Sequence, residues 1–286
     1  MQYDFLLIAT GGMPRRLGLP GADLDNVHCL RRASDAAALR QSIQRCAQMR
    51  LRLLVVGGSW IGLEVAATAR GAGVEVTVVE PAQQLCSRTL PSAPAHLLET
   101  LHTARGVDLR LRTSVVGLEG DREVRSARLS DGSAFSVGAV VVGIGITPNT
   151  SLAQQLGLLI RNGIVVDRHC RSSVPEIYAA GDVAEQACLW HDDSLRIETW
   201  ENANRQGESA AMHMAALAAG AAEPDAPDPG APPWFWVGSI RHEPAGARRA
   251  GVQRRSAGRS VERRRAALRS PERRPGGRCH RHEQAA

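Results

Sequence analysis

Arg52-Leu53-Leu54-Val55-Val56-Gly57-Gly58-Ser59-Trp60-Ile61-Gly62, followed after a helical stretch by Val74-Glu75-Val76-Thr77-Val78-Val79-Glu80, decides the fold. The first apolar run, Arg52–Val56, reads as a strand stopped by glycines, the segment Ile61–Arg70 has helical spacing, and Val74–Glu80 reads as a second strand. Strand, tight turn, helix and strand at this length make a βαβ unit of a parallel sheet.

Gly57, Ser59 and Gly62 hold the spacing of the G-x-G-x-x-G fingerprint. Gly57 permits the turn, Gly62 lets helix and strand approach, and a pyrophosphate would lie over the N–H groups of the first helical turn, Ile61 among them. Ser59 in the middle position crowds that approach while offering a hydroxyl. Glu80 follows Gly57 by 23 residues, where a carboxylate accepts from an adenosine ribose and repels a 2′-phosphate, so NADH is expected before NADPH. Plainer readings stay open: Glu80 as a surface charge before Pro81, and Gly57 and Gly62 as turn glycines alone.

Outward from this unit, Ser34 and Asp35 precede Ala36, Leu39, Ile43 and Ala47, an N-cap and a helix over 34–50. Phe5–Ala9 is a short apolar run stopped by Thr10-Gly11-Gly12, read as a buried central strand that needs neighbours on both sides. Past Glu80, a helix over 93–105 leads to short strands at Val107–Leu111, Ser114–Glu119, Val124–Leu129 and Phe135–Val137. Val140–Gly145 returns as a strand ending in glycines, before Pro148-Asn149. A helix at 151–159, a strand at Gly163–Asp167, a buried strand at Ile177–Ala180 and a long helix at Asn202–Ala219 follow. Gly181-Asp182 reads equally as a turn or as a cofactor contact, since a strand-end carboxylate can accept from ribityl or ribose hydroxyls.

At 286 residues the chain is long enough for two domains. All 35 basic residues are Arg, and no G-x-x-x-x-G-K-[ST] run occurs, which excludes Schiff-base chemistry and a P-loop hydrolase. The six cysteines form no C-x-x-C pair and the histidines fall singly, so neither a disulfide framework nor a metal site is expected and the histidines read as exposed or incidental. No signal peptide and no membrane-length apolar run is found, making the cytoplasm the expected compartment. Residues 237–286 hold 14 of the basic residues against 4 acidic ones, while the body is slightly acidic.

Leu7-Ile8-Ala9-Thr10-Gly11 with Pro14-Arg15, the unit at 57–80, Gly143-Ile144-Gly145 with Pro148-Asn149, and Ile177–Asp182 occur in the order of the FAD- and NAD-dependent pyridine nucleotide–disulfide oxidoreductases. Glu198-Thr199-Trp200-Glu201-Asn202-Ala203-Asn204 and Pro233-Trp234-Phe235-Trp236 resemble the ferredoxin reductases of aromatic-ring dioxygenase systems and the related rubredoxin and putidaredoxin reductases. The resemblance implies an α/β fold, a Rossmann-like NAD domain inserted in a partial FAD domain of the glutathione-reductase type. The expected parts are 1–30 as a remnant of the FAD domain, 31–147 as the NADH-binding domain, 148–230 as the second part of the FAD domain, and 231–286 as a linker and disordered tail.

By the same resemblance Thr10, Gly11, Arg15 and Asp182 belong to the FAD site, Gly57, Ser59, Ile61, Gly62, Glu80 and Gly145 to the NADH site, and Trp200 and Glu201 to the flavin's surroundings. With no cysteine pair to carry them, electrons would pass from NADH through FAD singly to an iron–sulfur ferredoxin, with no nucleic acid or membrane as partner. Two departures are expected to matter. The family's first strand–glycine-turn–helix unit does not precede Phe5, and after Pro-Trp-Phe-Trp the relatives read Ser-Asp-Gln-Tyr-Asp. Back-translating Val237–Gly246 as GTC GGA TCA ATA CGA CAT GAA CCT GCA GGT and dropping the first G restores Ser-Asp-Gln-Tyr-Asp-Met-Asn-Leu-Gln, so the Arg-rich tail reads as a shifted frame and not as a nucleic-acid arm.

Overall fold

The computed structural model describes residues 2–187, 194–222 and 224, all within one compact unit. The chain opens on β1 (Leu6–Ile8), β2 (Gly12–Pro14) and β3 (Val27–Cys29) and then enters helix α1 (Ala33–Met49). α1 begins one residue before Ser34, so neither Ser34 nor Asp35 is its N-cap. Asp35 instead reaches back to accept the N–H groups of Arg31 at 3.0 Å and Arg32 at 2.8 Å, bonds that hold its carboxyl below the usual carboxylate range.

The deciding stretch forms β4 (Leu53–Val56), α2 (Trp60–Gly71) and β5 (Val76–Glu80), with β4 and β5 parallel and Leu53 paired to Val76 through Val56 to Val79. Helix α3 (Ser92–Ala104) leads to β6 (Val107–Leu111), and an antiparallel meander, β7 (Val115–Gly120), β8 (Val124–Leu129) and β9 (Ala134–Ser136), precedes β10 (Ala139–Val142). These strands give a five-stranded sheet, order β3-β10-β4-β5-β6, parallel throughout.

The uninterrupted apolar runs of β4 and β10 follow from burial on both faces. Leu53, Val55, Val76, Val78 and Val141 pack with Leu39 and Ile43 of α1 and Val65, Ala66 and Ala69 of α2. On the other face Leu54, Val56, Val79, Val140 and Val142 pack with Leu118, Val124, Ala127 and Leu129 of the meander. The sheet also takes in β3, which lies ahead of residue 31.

Beyond it come β11 (Ile146–Pro148), α4 (Ser151–Gln155), β12 (Ile164–Val166), β13 (Ile177–Ala179), a one-turn 3-10 segment Gly181–Val183, β14 (Ala184–Ala187), β15 (Ser194–Leu195) and α5 (Trp200–Ala218). β11 lies antiparallel on β2, and β1 lies parallel on β13, so the first strands of the chain meet segments that follow the five-stranded sheet. Ile8, Ile164, Val166, Ile177, Ala179 and Val183 form the core there.

Among the described residues β1 pairs on one side only, with β13, and Leu6 and Leu7 are half-buried. Strands β2 and β3 were not expected, because Gly and Pro in one and a single His between apolar residues in the other give no strand pattern. The helix expected over 151–159 stops at Gln155, where Gly157 takes a left-handed turn. The expectations for residues 225–286, the Arg-rich tail included, lie outside the described residues.

Candidate functional site

The carboxyl ends of β4 and β10 are neighbours in the sheet, and each delivers a glycine turn to the same edge. Gly57, at φ +107°, backs directly onto the carbonyl of Gly143, and a Cβ on either Gly57 or Gly62 would collide with a backbone oxygen. The turn is therefore packed backbone on backbone. It leads into the first turn of α2, whose N–H groups have no partner within their own helix, with Ile61 exposed on it.

Glu80 is not a solvated strand-end charge. Half-buried, its Oε2 accepts the Gly58 N–H at 2.7 Å and its Oε1 the Ala82 N–H at 2.9 Å. The other end of the same residue is also held, because the Cys86 N–H donates to Gly58 O at 2.9 Å. Burial, with the Glu80 carboxylate adding to it, pushes the Cys86 thiol up to about 11, so this sulfur is a neutral filler beneath the turn. The Ser59 hydroxyl donates to Gly143 O at 3.0 Å, tying the Gly57 turn to the Gly143–Gly145 turn.

A second group of residues gathers where β2 crosses β11. The Thr10 hydroxyl donates to Asn149 O at 2.7 Å, and the Asn149 N–H donates to Gly11 O at 2.9 Å. Arg15, expected beside Thr10 and Gly11, binds the other turn: its N–H donates to Gly145 O at 3.0 Å and its Nε to Ile146 O at 3.1 Å. Gly145 has φ +98° and faces the guanidinium of Arg88, whose Nη2 lies 3.2 Å from the place a Cβ would occupy.

Asp182 joins the Thr10–Gly11 turn through a residue that sequence reasoning missed. Arg31 Nη1 lies 3.3 Å from Asp182 Oδ2, and Arg31 Nη2 lies 2.7 Å from the Cβ position of Gly11. A sequence signal existed, for Arg31 and Arg32 stand at the N-terminus of α1, where the helix dipole disfavours positive charge. Arg196 Nη1 donates to Asp182 O at 3.2 Å and pairs with Glu198 at 2.7 Å. α5 then starts under a Thr199 cap whose hydroxyl accepts the Asn202 N–H at 3.1 Å, which sets Trp200 and Glu201 in its first turn. Trp200 is 66% exposed, whereas Glu201, whose Oε1 lies 3.9 Å from Arg205 Nε, keeps Oε2 buried with no hydrogen-bond partner among the described residues.

Three histidines depart from the expectation of exposed residues, while His96 is exposed as expected. His102, His169 and His213 are buried; His169 and His213 stack at 4.4 Å, and the Tyr178 hydroxyl lies 2.7 Å from His213 Nδ1. His213 on α5, with Tyr178 on β13 and His169 stacked beside it, pins α5 to β13 as a packing element, while His102 is buried on α3. The described cysteines are free, and no cluster of metal-ligating side chains occurs among the described residues. No helix among the described residues is long and apolar enough to cross a membrane.

A Rossmann-like dinucleotide-binding sheet with a glycine turn, a strand-end carboxylate and a second glycine turn beside it defines the class. Residues 1–207 match the pyridine nucleotide-disulphide oxidoreductase family, and the chain belongs to it. It is 38% identical over 237 residues to the 3-phenylpropionate/cinnamic acid dioxygenase ferredoxin–NAD(+) reductase component of Photorhabdus laumondii, covering 83% of this chain and 57% of that one. It is 37% identical over 237 residues to rhodocoxin reductase of Rhodococcus erythropolis, covering 82% and 53%. The reductase in the covalent putidaredoxin reductase–putidaredoxin complex superposes with a TM-score of 0.74 at 36% identity, over 84% of this chain and 56% of that chain. The chain thus spans about half the length of the curated relatives it matches.

Proposed function

We propose that the chain is the nucleotide-binding portion of an NADH-dependent, FAD-containing ferredoxin reductase of the glutathione-reductase type. Residues 31–147, with β3 (Val27–Cys29) as edge strand of the sheet, form the NADH domain, inserted between flavin-domain parts ahead of β3 and at 148–230. Electrons enter from NADH and leave singly for an iron–sulfur ferredoxin of an aromatic-ring dioxygenase system, in the cytoplasm. One observation carries the reading: hydrogen bonds from Ser59 to Gly143, Arg15 to Gly145 and Thr10 to Asn149 link the two turns across a single strand crossing. Dinucleotides on Gly57–Gly62 and on Thr10–Gly11 would meet at that crossing.

In this reading Gly57 and Gly62 admit the NADH pyrophosphate to the first turn of α2, with Ile61 as its wall. Glu80 accepts ribose hydroxyls through its remaining lone pairs while keeping the N–H groups of Gly58 and Ala82. Gly145 leaves room for the nicotinamide half, under Arg88. Thr10, Gly11 and Asp182, with Arg31, hold the flavin nucleotide, and Trp200 and Glu201 border it. The residues fit such a group, since Glu201 Oε2 is a buried acceptor awaiting a donor. FAD, when bound, supplies the exchange between two-electron and one-electron chemistry. Near-contact alignment of the two sites is what the protein must contribute, because a misplacement of about 1 Å can cost on the order of a hundredfold in rate.

A second reading is a module that binds NADH without flavin-dependent turnover. Absorbance near 450 nm with added FAD, and NADH-driven reduction of a ferredoxin, separate the two when the 286-residue chain is assayed beside a version completed with the remaining length of a relative. The completed version is expected to bind FAD and turn over, and the 286-residue chain to bind FAD weakly and leave ferredoxin oxidised. Tight stoichiometric flavin and equal turnover in the shorter chain would remove the second reading; failure of both versions to take FAD would remove the first. Resequencing the gene through codon 237 tests the shifted-frame reading of the tail.

A further inference from the structure

The turn Ala180–Asp182 is held from beneath by side chains that no part of the reading above uses. Gly181 takes φ +78°, and its N–H donates to Oε1 of Gln206, on α5, at 2.8 Å. Gln206 is 4% exposed. Its Nε2 donates in turn to Gln186 Oε1 at 3.3 Å, and Gln186 Nε2 donates to Asp167 O at 2.9 Å and faces Cys170 Sγ at 3.8 Å. The thiol is pushed up to about 12 by burial, so it stays neutral beside the amide.

This amide chain has one polarity. A backbone N–H at Gly181 demands an oxygen, a backbone carbonyl at Asp167 demands an N–H, and the two glutamine amides between them can satisfy both ends in one orientation only. Ala203 closes the other side, its Cβ 3.5 Å from the Cβ position of Gly181. One residue on, the Asp182 carbonyl is held by Arg196 and its carboxylate by Arg31. Gln206 thus fixes the peptide N-terminal to the carboxylate, and so the direction in which that carboxylate leaves the strand.

We propose that Gln206, through the Gln206–Gln186 amide chain, is a positioning residue for Asp182 as a ligand of the flavin dinucleotide. The inference rests on the reading of Asp182 as a flavin contact. Gln206→Met keeps length and apolar volume but offers Gly181 no oxygen, whereas Gln206→Glu keeps an acceptor for Gly181 and loses the donor to Gln186.

The test follows the amide of Gly181 in the 286-residue chain by two-dimensional NMR, reading its hydrogen exchange and then its shift during titration with FAD to millimolar concentration. In Q206M, exchange at Gly181 should rise at least tenfold while Leu53–Val56 stays as protected as in the parent. The FAD titration midpoint, read at Asp182, should move up about tenfold, and Q206E should stay closer to the parent in both. Unchanged exchange at Gly181 in Q206M overturns the inference. So does faster exchange with an unmoved FAD midpoint, because the turn is then held but positions nothing. If FAD shifts no resonance in the parent and none in the version completed with the remaining length of a relative, the flavin reading of Asp182 fails and takes the inference with it. That outcome is recognisable because Gly181 exchange still responds to Q206M.

Discussion

The Gly57 turn and the Thr10–Gly11 turn are built by opposite routes. The Gly57 turn and its carboxylate lie within one βαβ unit, and the bonds that shape it, Ser59 to Gly143 and Gly143 to Val56 among them, span fewer than 90 residues. The Thr10–Gly11 turn is assembled from the far ends of the described chain, through Thr10 to Asn149 over 139 residues and Arg31 to Asp182 over 151. A local site inherits its geometry from secondary structure, so its glycines carry the shape. A long-range site depends on loop closure and on polar bonds made late.

Glycine substitutions should separate the regions most sharply. In α2, Gly62→Val drives a side chain into the Gly57 carbonyl, and denaturant unfolding should show a loss of about 1–3 kcal/mol or more, with NADH binding abolished. In α5, Gly207 has nothing within 4 Å of its Cβ position, so Gly207→Ala should stabilise by about 0.5–1 kcal/mol. Equal effects at the two helices would erase the distinction. Next in size, Tyr178→Phe removes the hydroxyl beside His213 and should cost about 1 kcal/mol, with the exchange of α5 amides rising while those of α2 hold.

Smaller still is the Arg31–Asp182 pair, whose members are partly exposed. Arg31→Ala should leave stability nearly unchanged and weaken the FAD response, and a matching loss of NADH binding would mean the two turns act as one site. Least visible should be the thiols. Cys86 stays protonated until pH nears about 11 and Cys170 until about 12, so both should resist iodoacetamide at pH 8 in the native chain and react on unfolding.

What was legible in the sequence follows the same division. The βαβ unit could be read because its signals are local: two buried runs, glycines at fixed offsets and a terminal carboxylate. Ser59 was visible as a departure, yet which way its hydroxyl points depends on Gly143, far along the chain. Strands β2 and β3 escaped because their pairing partners, not their residues, make them strands. Arg31 and Gln206 escaped for a like reason, since each is defined by a turn more than twenty residues away. The family motifs supplied Thr10, Gly11 and Asp182, but the guanidinium that joins them is a property of the fold.

Calorimetric titration of the 286-residue chain with NADH and with NADPH, beside its Glu80→Ala variant, tests the dinucleotide assignment most directly. Glu80 holds the glycine turn through Gly58 and, in this account, takes the adenosine ribose as well. NADH should bind at least tenfold tighter than NADPH, about 1.4 kcal/mol. Glu80→Ala should weaken NADH by roughly 1.5–3 kcal/mol and narrow the gap. Equal affinities in the parent chain, or a preference that survives loss of the carboxylate, would contradict the assignment.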